Sequence, residues 1–306
     1  MSGARRILLV VHPRRPDAAL LASEVVSRLT GAGVHVLLDP LSSGVLDLAQ
    51  QPLVSIAHGA DPAAGCELVL VLGGDGTILR GAEWSRGAAA PLLGVNLGHV
   101  GFLAETEREQ AHPTIDRILD RDYTVSERMT LDVVSHVDGL EVARSWALNE
   151  ATVEKAARER MLELTVEIDG RPLSTWGCDG VVMATPTGST AYAFSAGGPV
   201  IWPDVEAMLV VPISAHALFA RAMVLSPRSR LAVDIVAGTE GHGVLWCDGR
   251  RAVDLPAGAR VEVCRASTPV LLARLADQPF TDRLVEKFQL SVHGWRGPRP
   301  PRPGEP

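Results

Sequence analysis

The first 125 residues alternate short apolar runs with segments whose apolar positions recur at helical spacing. The runs predict strands at residues 7–11, 34–38, 68–72 and 92–95. Residues 68–72 contain no polar side chain, which is typical of a parallel strand covered on both faces. Helices are predicted at residues 16–29 and 77–84. The apolar side of the first helix is expected to carry Ala19, Leu20, Val25 and Leu29.

Beyond residue 128 the apolar positions alternate with polar ones, as in residues 130–137, 140–148, 162–168 and 231–236. Asp-Gly pairs stand beside such runs at residues 138–139, 169–170 and 248–249, and this dipeptide favours tight β-hairpins. The predicted fold class is therefore an α/β N-terminal domain with a parallel sheet and helices, followed by an all-β C-terminal domain that is antiparallel and β-sandwich-like.

Three segments follow from this change of pattern. We expect an α/β domain at residues 1–125 and a β-rich domain at residues 126–279, with residues 280–295 as a separate C-terminal segment. The Pro/Arg/Gly-rich residues 296–306 are interpreted as a disordered tail.

Composition narrows the possible functions. Hydrophobic residues make up 46% of the 306 positions and charged residues 21%, which excludes a largely disordered chain. A net charge of −7 and an aromatic content of 4% argue against a nucleic-acid partner. The apolar runs are too short for a signal-peptide core or a membrane span. A cytoplasmic protein without a membrane partner is expected.

A glycine-rich turn directly follows the buried strand at residues 68–72 and reads Gly73, Gly74, Asp75, Gly76, Thr77. Glycines let the backbone approach an anion, and the N–H groups at the start of the next helix favour phosphate. An acid in such a turn is useful as a base or beside a metal ion, so Asp75 is the candidate catalytic residue. The alternative is a tight turn in which Gly and Asp serve conformational tolerance alone.

Two further motifs stand out: one follows the predicted strand at residues 92–95, and the other is rich in hydroxyl groups. The segment from Asn96 to Leu103 carries Gly98, Gly101 and Phe102, and a flat ligand could approach its backbone. The alternative is a simple strand-to-loop turn with its phenylalanine in the core. The segment from Thr185 to Tyr192 carries five hydroxyl side chains, which suits a phosphate or a ribose. Here the alternative is an exposed Ser/Thr loop.

The pair Asn149-Glu150 ends an apolar segment and could hydrogen-bond a purine edge or ribose hydroxyls, although such a pair is non-specific by itself. Other phosphate and metal signatures are absent from the sequence. The two lysines, Lys155 and Lys287, do not stand in a Walker A loop, and no strand is followed by G-x-G-x-x-G. No H-E-x-x-H or zinc-ligand spacing occurs, and no residue is assigned as a metal ligand.

Taken in order, these motifs resemble the bacterial NAD kinase family, and its actinobacterial branch in particular. The resemblance runs from about Arg6 to Trp295 and rests on the glycine turn, the Asn96 segment, Asn149-Glu150, Asp179-Gly180 and residues 185–199. It implies that Asp75 accepts the proton of the 2′-hydroxyl of the adenosine ribose. It also implies that residues 280–295 return to the first domain. Gly177 departs from the family, because some relatives carry a basic residue there.

The resemblance implies one set of residues that bind substrate or nucleotide: Gly73, Gly74, Gly76, Thr77, Arg80, Asn96, Gly98, Phe102, Asn149, Glu150, Arg160, Asp179, Thr187, Gly188, Ser189, Thr190, Ala191, Tyr192, Ala193, Phe194 and Ser195. It further implies NAD and ATP as substrates, polyphosphate as another possible donor, a divalent cation such as Mg²⁺, and a homodimer or homotetramer. Two alternatives remain open at this point. One is a lipid or sugar kinase that shares the glycine-aspartate turn, and the other is a non-catalytic NAD(P)-binding protein.

Overall fold

The structure is a computed structural model that describes residues 4–43, 51–59, 61–98, 101–157, 160–239, 241–275 and 279–292. His99 and Val100 of the second motif lie outside the described residues. So do residues 293–295 of the predicted C-terminal segment and the whole predicted tail, residues 296–306.

The N-terminal part forms a mostly parallel sheet, as the apolar runs predicted. Its strands in chain order are β1 (Arg6–Val11), β2 (His35–Leu38), β3 (Val54–Ile56), β4 (Leu68–Leu72), β5 (Leu92–Asn96), β6 (Thr106–Glu107) and β7 (Thr124–Arg128). The order β3-β2-β1-β4-β5 is parallel throughout. The carboxyl ends of β1, β4 and β5 therefore open on one edge of the sheet, which is where ligands bind in such folds.

Helices cover this sheet on both faces. They are α1 (Pro16–Gly31), α2 (Pro40–Ser43), α3 (Asp75–Ala88) and α4 (Ala111–Asp120). The predicted first helix is confirmed, but the placement of Leu20 on its apolar side is wrong, because 65% of that side chain is exposed. The buried face follows Ala18, Leu21, Val25 and Leu29, which recur at the spacing of one helix face.

The second half folds into two antiparallel six-stranded sheets, ordered β12-β11-β16-β19-β8-β9 and β15-β14-β13-β10-β17-β18. Their strands are β8 (Leu131–Val137), β9 (Leu140–Ala147), β10 (Glu150–Lys155), β11 (Leu162–Ile168), β12 (Arg171–Cys178), β13 (Gly180–Ala184), β14 (Met208–Ile213), β15 (Met223–Leu225), β16 (Leu231–Ile235), β17 (Gly243–Cys247), β18 (Arg251–Leu255) and β19 (Arg260–Arg265). All three predicted Asp-Gly turns join consecutive strands, and both residues of each pair adopt positive φ. That conformation is the one a two-residue type I′ hairpin requires.

The two antiparallel sheets pack face to face. One apolar core combines Val133 and Val166 of the first sheet with Val153 and Met183 of the second, and Trp176 is fully buried in it. The outer face of the second sheet is covered by a short helix, α5 (Tyr192–Ser195). The predicted sandwich-like arrangement is therefore confirmed.

Two C-terminal elements lie against the first sheet. Strand β20 (Val270–Arg274) pairs with β5 in parallel and with β7 in antiparallel orientation. Helix α6 (Phe280–Phe288) packs its two terminal phenylalanine rings against Phe102. The predicted domain boundaries at residues 125 and 279 stay predictions. Among the described residues, no helix is long and apolar enough to cross a bilayer.

Candidate active site

Helix α3 begins at Asp75, two residues before the predicted start, so the candidate catalytic residue lies in the first turn of the helix. The positive end of the helix dipole favours a carboxylate there. Gly73 is buried just before it, and a Cβ at this position would lie 2.5 Å from Thr77 Oγ1. Glycine is therefore required at this point for the turn to close onto Thr77.

The Asp75 carboxylate connects the first motif to the second. Its Oδ2 accepts a hydrogen bond from the N–H of Phe102, and its Oδ1 accepts one from the N–H of Leu103, both at 3.3 Å. A Cβ on Gly101 would lie 2.3 Å from Asp75 Oδ1. The absence of a side chain at residue 101 therefore lets this loop close around the carboxylate.

Asn96 and Gly98 fix the beginning of the same loop. The buried Asn96 amide donates to both Glu107 carboxylate oxygens, at 3.1 and 2.9 Å, and its Oδ1 accepts from the N–H of Gly98 at 3.3 Å. A Cβ on Gly98 would lie 2.7 Å from a guanidinium nitrogen of Arg15. These contacts assign both residues a role in loop geometry, whatever they contribute to a ligand.

Arg80 lies one helical turn beyond Asp75, with 6% of its surface exposed. It donates to the carbonyl of Val11 at 2.6 Å and lies 3.4 Å from Asp39 Oδ2. Burial lowers the pKa of this guanidinium. Its contacts connect α3 to the carboxyl end of β1, and its predicted role near nucleotide phosphates stays a prediction.

The hydroxyl-rich motif packs directly on the Asn149-Glu150 pair. Thr185 Oγ1 donates to the carbonyl of Leu148 at 2.6 Å, and the Thr185 N–H donates to the carbonyl of Asn149 at 2.9 Å. A Cβ on Gly188 would lie 2.0 Å from the Asn149 carbonyl oxygen. The structure thus brings together two motifs that are 36 residues apart from Asn149 to Thr185.

Within this motif the hydroxyl groups divide by burial. Ser189 is fully buried, donates to the carbonyl of Pro186 at 2.6 Å and accepts from the N–H of Ile201 at 2.9 Å. It therefore fixes the loop. Thr187 and Thr190 are half-buried, as is Ala191, whereas Ala193 is buried. Exposed positions follow at Tyr192, Phe194 and Ser195.

Glu150 is a buried carboxyl group with a strongly raised pKa. Burial, together with the nearby Asp248 carboxylate, raises the pKa of Glu150 to about 8. Its Oε2 has no hydrogen-bond partner among the described residues. A buried carboxyl that is protonated near neutral pH can donate a hydrogen bond, and an unpartnered buried oxygen favours a ligand that supplies the missing contact.

Helix α3 and the sandwich are joined by ion pairs around Asp248. The Asp248 carboxylate accepts the N–H groups of Leu148 and Asn149 at 3.0 and 2.7 Å. Arg251 lies 2.8 Å from that carboxylate and 3.0 Å from Glu83 on α3. The helix that carries Asp75 is therefore tied to the strand end that carries Asn149.

The main cavity, of about 480 Å³, lies between the loop that holds Asp75 and the hydroxyl-rich motif. Phe102 and Leu103 line it from the first domain, and Thr187 and Thr190 line it from the hydroxyl-rich motif. Aromatic rings of Trp202 and Phe280 add to the walls. Flat apolar walls with a few polar groups are typical of small-molecule sites.

Three arginines that the sequence analysis missed also line this cavity: Arg128, Arg274 and Arg283. Burial, and next the charges of Arg274 and Arg283, lower the pKa of Arg128 to about 10. Neighbouring cations that are buried or half-buried favour an anionic ligand, because it would offset their repulsion. They come from β7, β20 and α6, so no local sequence motif could have identified them.

A second cavity of about 350 Å³ is lined by Asp179 and Tyr192 together with Glu154 and Lys155. Lys155 Nζ lies 2.5 Å from Asp179 Oδ1, and this ammonium group lowers the pKa of Asp179. Tyr192 Oη donates to Glu154 at 3.5 Å. Arg160 is exposed at the start of β11 and lines neither of these two cavities.

The described residues contain no group of three or more His, Cys, Asp or Glu side chains placed to hold a metal ion. A magnesium ion usually keeps several waters and is held by one or two carboxylates and by substrate phosphates. The single carboxylate of the glycine turn, Asp75, fits that manner of binding and does not form a protein cage.

A parallel α/β sheet with a glycine-aspartate turn, closed against a β-sandwich with a hydroxyl-rich loop, defines a phosphotransferase of the two-domain kinase class. Comparisons with known proteins specify the class. A family model described as the ATP-NAD kinase N-terminal domain matches residues 7–123, and one described as the ATP-NAD kinase C-terminal domain matches residues 148–275. The chain belongs to the NAD kinase family.

Relatives and solved structures agree with this assignment. The chain is 58% identical to the NAD kinase of Thermobifida fusca over 302 residues. The alignment covers 96% of this chain and 92% of the relative. Its fold is similar to yeast NADH kinase complexed with NADH, with a TM-score of 0.85 at 23% identity, over 94% and 89% of the two chains. The fold is also similar to that of an NAD kinase from Archaeoglobus fulgidus in complex with ATP. The TM-score is 0.68 at 23% identity, and the match covers 93% of this chain and 98% of that chain.

The predicted family, fold class and enzyme class are thereby confirmed. Family membership also decides between the alternatives that the sequence left open. It favours a nucleotide kinase over a lipid or sugar kinase, although all of these share the glycine-aspartate turn.

Proposed function

We propose that this chain transfers the γ-phosphoryl group of ATP, or the terminal one of polyphosphate, to the 2′-hydroxyl of the adenosine ribose of NAD, giving NADP. The observation that carries the proposal is the Asp75 carboxylate. It lies at a helix N-terminus and is held by the two N–H groups of Phe102 and Leu103, which line the main cavity.

In this reaction the ribose 2′-oxygen forms a bond to the γ-phosphorus, while the bond from that phosphorus to the leaving phosphate oxygen breaks. Asp75 receives the 2′-hydroxyl proton, and ADP leaves. The transition state of such transfers is loose, so the protein mainly positions the reactants and stabilises charge. The proton of a weakly acidic ribose hydroxyl can therefore move late, so the carboxylate need not remove it before the phosphoryl group is transferred.

The charges around the main cavity support binding of the phosphate groups. Arg128 and Arg274 line the main cavity, and Asp204 is the carboxylate among its lining residues. The glycine turn adds backbone N–H groups at the start of α3. A divalent cation such as Mg²⁺, entering with the donor phosphates, would offset charge on the transferred group.

The contacts of Glu150 support binding of the acceptor. Its protonated carboxyl group can donate a hydrogen bond, and Asn149 stands beside it on the strand end that Asp248 fixes. Phe102 lines the main cavity, where its aromatic side chain could contact an adenine. The remaining predicted binding residues, including Arg160, Asp179 and Tyr192, are proposed as contacts for other parts of NAD.

The test is NADP formation by the purified full-length chain, with NAD, Mg²⁺ and either ATP or polyphosphate as donor. Asp75→Asn is expected to lower kcat by about 10²–10⁴-fold if the carboxylate takes the proton. Asp138→Asn makes the same change at an exposed hairpin turn and serves as the matched control. Near-normal turnover of the Asp75→Asn variant would contradict the proposed role.

A homodimer or homotetramer is proposed as well, and sedimentation velocity of the purified chain tests it: a monomer at micromolar concentration would contradict it. Comparison of initial rates with ATP and polyphosphate decides the donor. The cytoplasmic location stays a prediction of the sequence.

A further inference from the structure

Arg283 of helix α6 lies directly behind the loop that holds Asp75. It is buried, with 6% of its surface exposed. Its Nη1 donates to the carbonyl of Ala104 at 2.7 Å and to that of Phe102 at 3.2 Å. Its Nη2 donates to Glu105 Oε2 at 3.1 Å. Both terminal nitrogens of this guanidinium are thus engaged with residues 102–105.

Glu105 is itself fixed from two further sides. Its Oε1 accepts the N–H of Leu275 at 3.0 Å, and its Oε2 lies 2.8 Å from Arg274 Nε. Its own N–H donates to the carbonyl of Gly94 at 2.8 Å. The carboxylate that orients Arg283 is therefore held by β20 and β5, and not by α6 alone.

The contact of Arg283 with the Phe102 carbonyl matters because of the peptide unit to which that carbonyl belongs. The carbonyl of Phe102 and the N–H of Leu103 form one planar, rigid unit and point in opposite directions. On one side Arg283 Nη1 holds the oxygen, and on the other side the N–H donates to Asp75 Oδ1. A rotation of this unit would move both bonds together.

We propose that Arg283 is a positioning residue for the Asp75 carboxylate and acts through the peptide unit between Phe102 and Leu103. This inference rests on the proposed function, because it assigns Arg283 to the same reaction. Arg283 does not need to touch either substrate in this role. Its contribution is to keep the two N–H donors of the loop aimed at the carboxylate, so that Asp75 stays within reach of the reacting hydroxyl.

The chain offers a matched control for a merely structural role. Arg5 makes the same set of contacts at the other end of the sheet: it donates to the carbonyls of Ile118 and Leu119 at 2.9 and 2.7 Å, and it pairs with Glu67 at 2.6 Å. Arg5 precedes β1, whereas the candidate site lies at the carboxyl end of that strand. A substitution there tests the loss of a similar but half-buried network far from Asp75.

The experiment compares Arg283→Gln, Arg283→Lys and Arg5→Gln in the full-length chain. Measurements are kcat, KM for both substrates, thermal unfolding, and the folded fraction from NAD-binding calorimetry. Arg283→Gln is expected to lower kcat per folded molecule by about 10–100-fold, because a misplacement near 1 Å costs about that much. Arg283→Lys, which keeps a donor for one carbonyl, should recover part of the loss. Arg5→Gln should lower the unfolding temperature and leave kcat unchanged.

The decisive measurement repeats Arg283→Gln in the Asp75→Asn background. Because Arg283 acts through Asp75, the substitution Arg283→Gln should lower kcat by less than about 3-fold in a protein that already lacks the Asp75 carboxylate. An unchanged kcat of Arg283→Gln in the wild-type background overturns the inference, and so does an equal loss in both backgrounds. If Arg283→Gln does not fold, Arg283→Lys takes its place in both arms. Normal turnover of Asp75→Asn alone would remove the catalytic role on which this inference depends, whereas the absence of NADP formation by the unsubstituted chain would refute the proposed function itself.

Discussion

The substitution Gly101→Ala tests how closely the second motif closes around Asp75. A Cβ at residue 101 would lie 2.3 Å from Asp75 Oδ1, whereas ordinary contact begins at 3.4 Å. The loop is anchored at several points, and the carboxylate is the end of a side chain. We therefore expect the carboxylate to retreat by about 1 Å while the loop stays in place.

The size of the effect follows from that displacement. A 1 Å misplacement of a catalytic group costs about 10²-fold in rate, or about 2.7 kcal/mol of transition-state stabilisation. The free energy of unfolding should change by less than this. Two hydrogen bonds of 3.3 Å are lost, at roughly 0.5–1.5 kcal/mol each, and the lower entropy of the unfolded chain returns about 0.4–1 kcal/mol. Activity and stability should therefore separate.

The assay is steady-state NADP formation, coupled to an NADP-dependent dehydrogenase, alongside urea unfolding of the same samples. Gly87→Ala is the control, because residue 87 lies near the end of α3 and a Cβ there meets nothing within 4 Å. That variant should keep its kcat and become slightly more stable. A Gly101→Ala enzyme with wild-type kcat would refute the geometry, and so would a loss of activity explained fully by unfolding.

Three further substitutions test the surroundings of the site. The pKa of Glu150 is raised to about 8, so the folded state retains a proton that the unfolded state releases above the ordinary pKa of this group. Glu150 therefore makes the free energy of unfolding fall between about pH 5 and 8, by up to about 1.4 kcal/mol per pH unit. Urea titrations of Glu150→Gln should show a flatter pH dependence, and an unchanged slope would argue against the protonated state. Arg128→Gln should raise KM for nucleotide about 10–100-fold without lowering the unfolding temperature, since it removes one of three neighbouring cations; equal KM values in the coupled assay would exclude Arg128 from phosphate binding. Ser189→Ala should lose about 1–3 kcal/mol of unfolding free energy, because the buried Ile201 N–H loses its acceptor; a loss below 0.5 kcal/mol would show that the loop relaxes.

Local patterns sufficed for those elements of the fold that the sequence analysis named. The continuous apolar run at residues 68–72 predicted a buried parallel strand, and the three Asp-Gly pairs predicted tight hairpins, because each signal depends on neighbouring residues. The exposure of Leu20 was missed for a related reason. Alanine and leucine fill several adjacent positions of α1, so composition alone did not show which helix face meets the sheet.

The site was predictable where its residues form motifs and unpredictable where they do not. The contact of Asp75 with Phe102 and Leu103 joins two motifs that each follow a neighbouring parallel strand, so the sheet edge brings them together. Arg128, Arg274 and Arg283 belong to no such motif. Their proximity depends on the antiparallel pairing of β7 with β20 and on the packing of α6, which are contacts over more than 140 residues of sequence.

The same pairing explains how a kinase with two lysines obtains a phosphate-binding surface. Neither Lys155 nor Lys287 lines the main cavity, and its positive charge comes from arginines on β7, β20 and α6. The last two elements follow the sandwich in sequence, yet β20 joins the first sheet and α6 packs against Phe102. The cationic wall of the cavity and the anchor of the Asp75 loop therefore form together, when the end of the chain packs onto its beginning. Catalytic geometry should then appear only after the whole chain has folded, because residues 1–125 contain Asp75 but not Arg128, Arg274 or Arg283.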